Sequence, residues 1–117
     1  MLDADALNLL AENASLQGKL CNRVAATILT PHPAEAARLL DCSVNDIQRD
    51  RFTAARELAK RYHSHIALKG CGTIIATVDG EICLNSTGNP GMATAGMGDV
   101  LCGLIVALLA QDWPANT

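Results

Sequence analysis

Aromatic side chains are nearly absent from this chain, with Phe52, Tyr62 and Trp113 the only ones. A core without aromatic bulk has to be filled by Ala, Leu, Ile and Val, the composition of helices packed on a parallel sheet. Charge of one sign is also lacking. A net charge of -3 gives no electrostatic reason to expect nucleic acid or an anionic membrane as partner, so any anionic ligand must be held by local geometry. The cysteines, Cys21, Cys42, Cys71, Cys83 and Cys102, are odd in number, widely spaced and without a C-x-x-C pair, which suggests neither a disulfide framework nor a zinc site and suits reduced thiols. No basic, then apolar, then small-residue leader opens the sequence, and the longest apolar run, Val100 to Ala110, is too short to span a bilayer. A cytoplasmic protein is the expectation. With 50% of its residues apolar, a chain of 117 residues has enough material for one domain with a modest core.

What the sequence does have is glycine, concentrated where it carries meaning. Gly88, Gly91, Gly96 and Gly98 fall in one stretch, Asn85-Ser86-Thr87-Gly88-Asn89-Pro90-Gly91-Met92-Ala93-Thr94-Ala95-Gly96-Met97-Gly98-Asp99, which runs directly into the apolar segment from Val100. Such spacing fits neither a helix nor a strand interior. A glycine turn that opens into a helix aims unpaired backbone N–H groups at one point, where the positive end of the helix dipole adds to them. The stretch therefore predicts an anion cradle over Gly96, Met97, Gly98 and Asp99. Asp99, the ionisable residue at its mouth, is either a helix cap or a catalytic base.

Elsewhere the pattern predicts a short helix carrying Leu7, Leu9 and Leu10 with Asp5 as its cap, and an element missing upstream of it. A buried strand over Ala25 to Thr30 leads through Pro31-His32-Pro33 into a helix over Ala34 to Leu40. One further helix, capped by Ser43, carries Ile47, Ala54, Ala55, Leu58, Ala59 and Tyr62 on its apolar face. His65 to Leu68 is a second strand, and Ile74 to Val78 and Glu81 to Leu84 form a hairpin around Asp79-Gly80. Strand, helix, strand with glycine loops at strand ends is an open α/β sheet, whose ligands lie beyond the strands' carboxyl ends. All the candidate loops should gather on that edge.

Among those loops, Lys69-Gly70-Cys71-Gly72-Thr73 offers a cation, two flexible amides and a hydroxyl for a phosphate or nucleotide; alone it reads more readily as ordinary turn chemistry, and the second glycine loop reverses that balance. His32 and Glu35 are one helical turn apart, and either converge on the same edge or serve as a loop histidine and a helix-start carboxylate. Asp3 and Asp5 could reach a magnesium-nucleotide, with capping the plainer role for Asp5. Cys71 and Cys102 read as small packing residues, and His63 and His65 receive no function. If a phosphoryl group rests on the amides of Gly96 to Asp99, the Asp99 carboxylate can deprotonate an attacking hydroxyl while the dipole stabilises the charge that develops.

Taken in order, Thr30-Pro31-His32-Pro33-Ala34-Glu35, Lys69-Gly70-Cys71-Gly72-Thr73 and Gly88-Asn89-Pro90-Gly91-Met92-Ala93 running into Gly96-Met97-Gly98-Asp99 closely resemble the ADP/ATP-dependent NAD(P)H-hydrate dehydratases, the ribokinase-like domain of the YjeF type. Asp3-Ala4-Asp5-Ala6-Leu7 fits that family as well. The resemblance implies a partial ribokinase-like three-layer α/β fold, with a mostly parallel sheet, a hairpin and flanking helices. Residues 1–117 would be a central to C-terminal fragment of one such domain. It implies repair of hydrated NADH or NADPH, with ADP (or ATP) as co-substrate and Mg2+. Carried over by motif, Lys69, Gly70, Cys71, Gly72, Thr73 and Gly98 contact the adenine nucleotide. His32 and Asp99 contact the hydrated dinucleotide, and Asp99 is the base. Gly96 and Met97 belong to the anion hole, and Glu35 matches a position associated with magnesium and phosphate. A homo-oligomer is expected because the helix from Asp99 is apolar all round, and an epimerase of the hydrated cofactor is expected as a fused or separate partner. The alternatives are a small-molecule kinase of the same superfamily acting on a vitamin hydroxymethyl group, and a catalytically incomplete nucleotide-binding fragment.

Overall fold

Burial alternates along the middle of the chain, and that alternation sets the inner face of a sheet. In the computed structural model, which describes residues 1–88, 91 and 94–116, the strands are β1 (Ile28–Leu29), β2 (His65–Leu68), β3 (Thr73–Ala76) and β4 (Ile82–Asn85), in spatial order β1-β2-β3-β4. Ile66, Leu68, Ile74 and Ala76 are buried while His65, Ala67 and Ile75 are less so, as the period of two requires. β1 pairs with β2 in parallel, and Leu2 forms a parallel bridge with Leu29, donating to the Ile28 carbonyl at 2.9 Å and accepting from the Thr30 N–H at 3.2 Å.

The α/β class, the hairpin and the flanking helices are as the sequence predicts. The balance of the sheet is not: β2 with β3 and β3 with β4 are both antiparallel, so the described sheet is mixed rather than mostly parallel. The reason is connection length. The glycine segment 69–72 and the turn 77–81 are too short for the crossover that parallel neighbours need. Gly80, at φ 92, closes the second turn with its N–H on the Thr77 carbonyl at 3.1 Å.

The helices are α1 (Asp5–Glu12), α2 (Ala14–Cys21), α3 (Pro33–Leu40), α4 (Val44–Arg49), α5 (Arg51–Tyr62) and α6 (Met97–Leu109). α5 lies against β2 and β3, α3 against α5, and α1 against α3. Leu7, Leu29, Leu39, Ile47, Leu58, Tyr62, Ile66, Leu68 and Ile74 make one apolar core there, each contributing about 1.5–3 kcal/mol of burial. The Tyr62 hydroxyl, in the middle of it, donates to the Leu39 carbonyl at 2.7 Å, so the one polar atom of the ring is paired.

Three sequence expectations change in detail. Asp5 is the first residue of α1 and not its cap, because Ala4 at φ 48 occupies that position and no side chain caps the helix. The helix expected from Ser43 to Tyr62 is two: Asp50 leaves helical geometry and re-caps α5 by accepting from the Thr53 N–H at 3.0 Å and hydroxyl at 2.7 Å. α2 was not expected, although Asn13 caps it through the Leu16 N–H at 3.1 Å.

α6 stands on the other face of the sheet. Ile105, Leu108 and Leu109 look across a cavity of about 640 Å3 towards Ala67, Ile75 and Cys83. None of the helix's residues is buried. No helix among the described residues is long and apolar enough to cross a membrane.

Candidate functional site

Strand direction decides where the loops go. β1 and β2 are parallel and end at Leu29 and Leu68, and the Lys69 N–H donates to the Pro31 carbonyl at 2.9 Å, so the segment with His32 and the glycine segment are tied at one edge. β4, antiparallel to β3, runs in the same sense as β2 and delivers residues 86–88 to that edge, where α6 begins. The gathering of loops at the carboxyl ends is therefore a product of the hairpin as much as of parallel pairing. Asn89, Pro90, Met92 and Ala93 of the glycine stretch lie outside the described residues.

At the centre of the edge is Asp3. Its Oδ1 pairs with the Lys69 ammonium at 2.9 Å and accepts from the Thr30 hydroxyl at 2.9 Å, and its Oδ2 accepts from the Cys102 thiol at 3.2 Å. Burial by itself raises the Asp3 carboxyl, but Lys69, Cys102 and Thr30 together outweigh it and hold the pKa below the ordinary carboxylate value. The Cys102 thiol is pushed up, first by burial and then by Asp3, so it stays protonated as a donor. Cys102 thus does more than pack. It fastens α6 to the residue that follows Leu2.

The start of α6 comes to the same place. A Cβ on Gly98 would lie 3.8 Å from both the Lys69 ammonium and Asp3 Oδ2. Gly96, at φ 89, is the cap position and offers no side chain, which settles one question from the sequence: Asp99 sits inside the first turn and does not cap the helix. The first helical bond is from the Val100 N–H to the Gly96 carbonyl at 3.1 Å, which leaves the N–H groups of Gly98 and Asp99 without a backbone partner among the described residues. The Asp99 side chain is exposed.

His32 and Glu35 take the plain role that the sequence left open. His32 is the cap of α3, its Nδ1 accepting from the N–H groups of Ala34 at 3.1 Å and Glu35 at 3.4 Å, while Glu35 Oε2 accepts from the His32 N–H at 2.8 Å. With Nδ1 an acceptor, the ring proton is on Nε2, which lies 3.4 Å from Glu35 Oε1. The imidazole remains 48% exposed and so available to a ligand, whereas the Glu35 side chain, 6% exposed with both oxygens turned to His32, is not.

Arg51 is the residue that sequence reading missed. Its Nη1 donates to the Cys71 carbonyl at 3.0 Å, and its Nη2 to the carbonyls of Leu68 at 3.2 Å and Lys69 at 3.3 Å. Nothing local announces this, because the contact is between the first turn of α5 and a loop two elements later. His65, expected to have no function, has a buried Nδ1 without a partner among the described residues, and burial, against the pull of Asp79, lowers its pKa.

A lysine paired with an aspartate, a helix start without a side-chain cap and an exposed carboxylate thus meet at the carboxyl edge of an α/β sheet. The family model described as NAD(P)H-hydrate dehydratase matches residues 1–116, and the chain belongs to that family. The bifunctional NAD(P)H-hydrate repair enzyme Nnr of Vibrio cholerae is 54% identical over 113 residues, which are 96% of this chain and 21% of that protein. The ADP-dependent (S)-NAD(P)H-hydrate dehydratase of Neisseria meningitidis serogroup B is 49% identical over 114 residues, 97% of this chain and 38% of the relative. The crystal structure of the ADP/ATP-dependent NAD(P)H-hydrate dehydratase of Bacillus subtilis, co-crystallised with ATP/Mg2+ and soaked with CoA, superposes with a TM-score of 0.73 at 38% identity, covering 92% of this chain and 37% of that one. The fold is that of ribokinase-like dehydratases. The chain spans well under half the length of the relatives it matches.

Proposed function

We propose that these residues are one part of an ADP-dependent (S)-NAD(P)H-hydrate dehydratase domain, a carbon-oxygen lyase that returns hydrated NADH or NADPH to the working cofactor. The observation that carries this reading is the pair of N–H groups on Gly98 and Asp99, without a backbone partner among the described residues, beside the Lys69 ammonium and with the exposed Asp99 carboxylate on the same turn. Those groups suit the terminal phosphates of an adenine nucleotide, with Gly96 and Met97 completing the anion hole. Lys69 to Thr73 line the nucleotide and His32 meets the hydrated dinucleotide with its exposed ring edge. ADP is the expected co-substrate, as named for the Neisseria relative, and ATP the alternative. Mg2+ would accompany the nucleotide and supply neutralisation of its phosphate charge, beside Lys69. Glu35 is not assigned to it, because both its oxygens serve His32.

Asp99 takes the proton from the ring hydroxyl as that oxygen bonds the terminal phosphorus and the bond from phosphorus to the nucleotide's bridging oxygen breaks. AMP is left when the nucleotide is ADP. The ring C–O bond then breaks, phosphate leaves with its electron pair, and loss of the neighbouring ring proton restores the double bond. A cytoplasmic location, and an epimerase joined to this domain as in a bifunctional relative or working beside it, belong to the same proposal.

The test is Asp99→Asn in the full-length protein, assayed by recovery of NADH absorbance from the hydrate with ADP. Loss of the base should lower turnover by about 10²- to 10⁴-fold while ADP still binds. Recovery at the unmodified rate would remove Asp99 from the chemistry. The kinase reading is tested by phosphoryl transfer to a panel of vitamin alcohols, where no transfer is expected.

A further inference from the structure

Three carbonyls of the segment from Leu68 to Thr73 converge on one side chain. Those of Leu68, Lys69 and Cys71 all accept from the Arg51 guanidinium, at 3.2, 3.3 and 3.0 Å. With the Lys69 N–H on the Pro31 carbonyl, the N–H groups of Gly70 and Cys71 are left without a backbone partner among the described residues, and unpaired amides in a tight turn are groups that can hold an anion. Gly70 lies directly on the guanidinium: a Cβ there would be 2.7 Å from Nη2 and 3.1 Å from Cζ. The glycine at this position is thus matched to Arg51 as well as to its own backbone. Gly70 and Cys71 are exposed, whereas Arg51 is half-buried behind them with Nε sealed from solvent. A lysine could not span three carbonyls, because only the planar fork presents donors in the required directions.

We propose that Arg51 is a positioning residue for nucleotide binding. It holds Lys69 to Cys71 in the one conformation that offers the Gly70 and Cys71 amides and the Lys69 ammonium to phosphate, and its own positive charge behind the loop adds to the attraction. The proposal rests on the reading that this loop binds the nucleotide.

The experiment uses the full-length protein and reads the Kd for ADP by calorimetry, the KM for hydrated NADH and the thermal midpoint, in the unmodified protein and in Arg51→Met, Arg51→Lys and Lys69→Met. Arg51→Met should weaken ADP binding about tenfold or more and Arg51→Lys about threefold, with the hydrate's KM changed less than about twofold. If Lys69→Met binds ADP as tightly as the unmodified protein, the nucleotide reading of the loop fails irrespective of Arg51. If Lys69→Met is weakened and Arg51→Met is not, the positioning role is overturned. It is also overturned if Arg51→Met shifts both constants together with a lowered midpoint, the mark of a purely structural residue. Should Arg51→Met fail to fold, Arg51→Lys decides, and unchanged ADP affinity in that variant overturns the proposal.

Discussion

Replacing Asp3 by Asn changes one charge and almost no volume, and the structure says what that charge holds. The carboxylate accepts from Lys69, Thr30 and Cys102, with Asp3 and Lys69 side chains 15% and 23% exposed. At 2.9 Å the gross attraction of the pair is about 6 kcal/mol for an effective dielectric of about 20. Desolvation of two largely buried ions cancels most of it, and a hydrogen bond to a charged group contributes about 1.5–3 kcal/mol net. Asn keeps an acceptor oxygen but leaves the ammonium without a counter-ion, so a loss of about 2 kcal/mol at pH 7 is expected. In urea that moves the unfolding midpoint of the chain down by about 1–2 M. The pH dependence fixes the cause. A carboxylate whose pKa is depressed in the folded state contributes stability that is complete above the unfolded value, 3.8, and is lost as pH falls through the folded value. The gap between the two proteins should therefore be constant from neutral pH to just above 4 and close below it. Midpoints within about 0.2 M of one another at pH 7, or a gap undiminished at pH 3, would refute the assignment.

Two other consequences are open to direct measurement. Tyr62→Phe strands the buried Leu39 carbonyl and should cost about 1–2 kcal/mol in urea unfolding, with no change if that bond contributes nothing. Val100, Leu104 and Val106 on α6 are 63%, 57% and 50% exposed, so the 117-residue chain should sediment as a dimer or larger. Leu104→Lys with Val106→Lys should return it to monomer.

Much of the edge was legible because its residue types are constrained by local physics. A histidine between prolines, a lysine before two glycines and a glycine run opening into a helix each announce a loop at a strand or helix end, and β1, β2 and α6 place them together. What stayed hidden was long-range pairing. Asp3 with Lys69 and Arg51 with Cys71 are separated by many residues, and no periodicity connects them. The split between α4 and α5 was missed for a different reason: Asp50 and Thr53 fit an exposed helical face as well as a cap. Glu35, which the resemblance associates with magnesium and phosphate, accepts from the His32 N–H in this structure, a capping contact that its motif does not announce.

The bareness of α6 has a thermodynamic side. A helix that buries none of its residues has little of its own to keep it from opening locally, while its first turn supplies the proposed phosphate cradle. A ligand that binds only the closed form adds about 2.7 kcal/mol against opening at one hundred times its dissociation constant. In the 117-residue chain the order of the segment that carries Asp99 should then rise with nucleotide concentration.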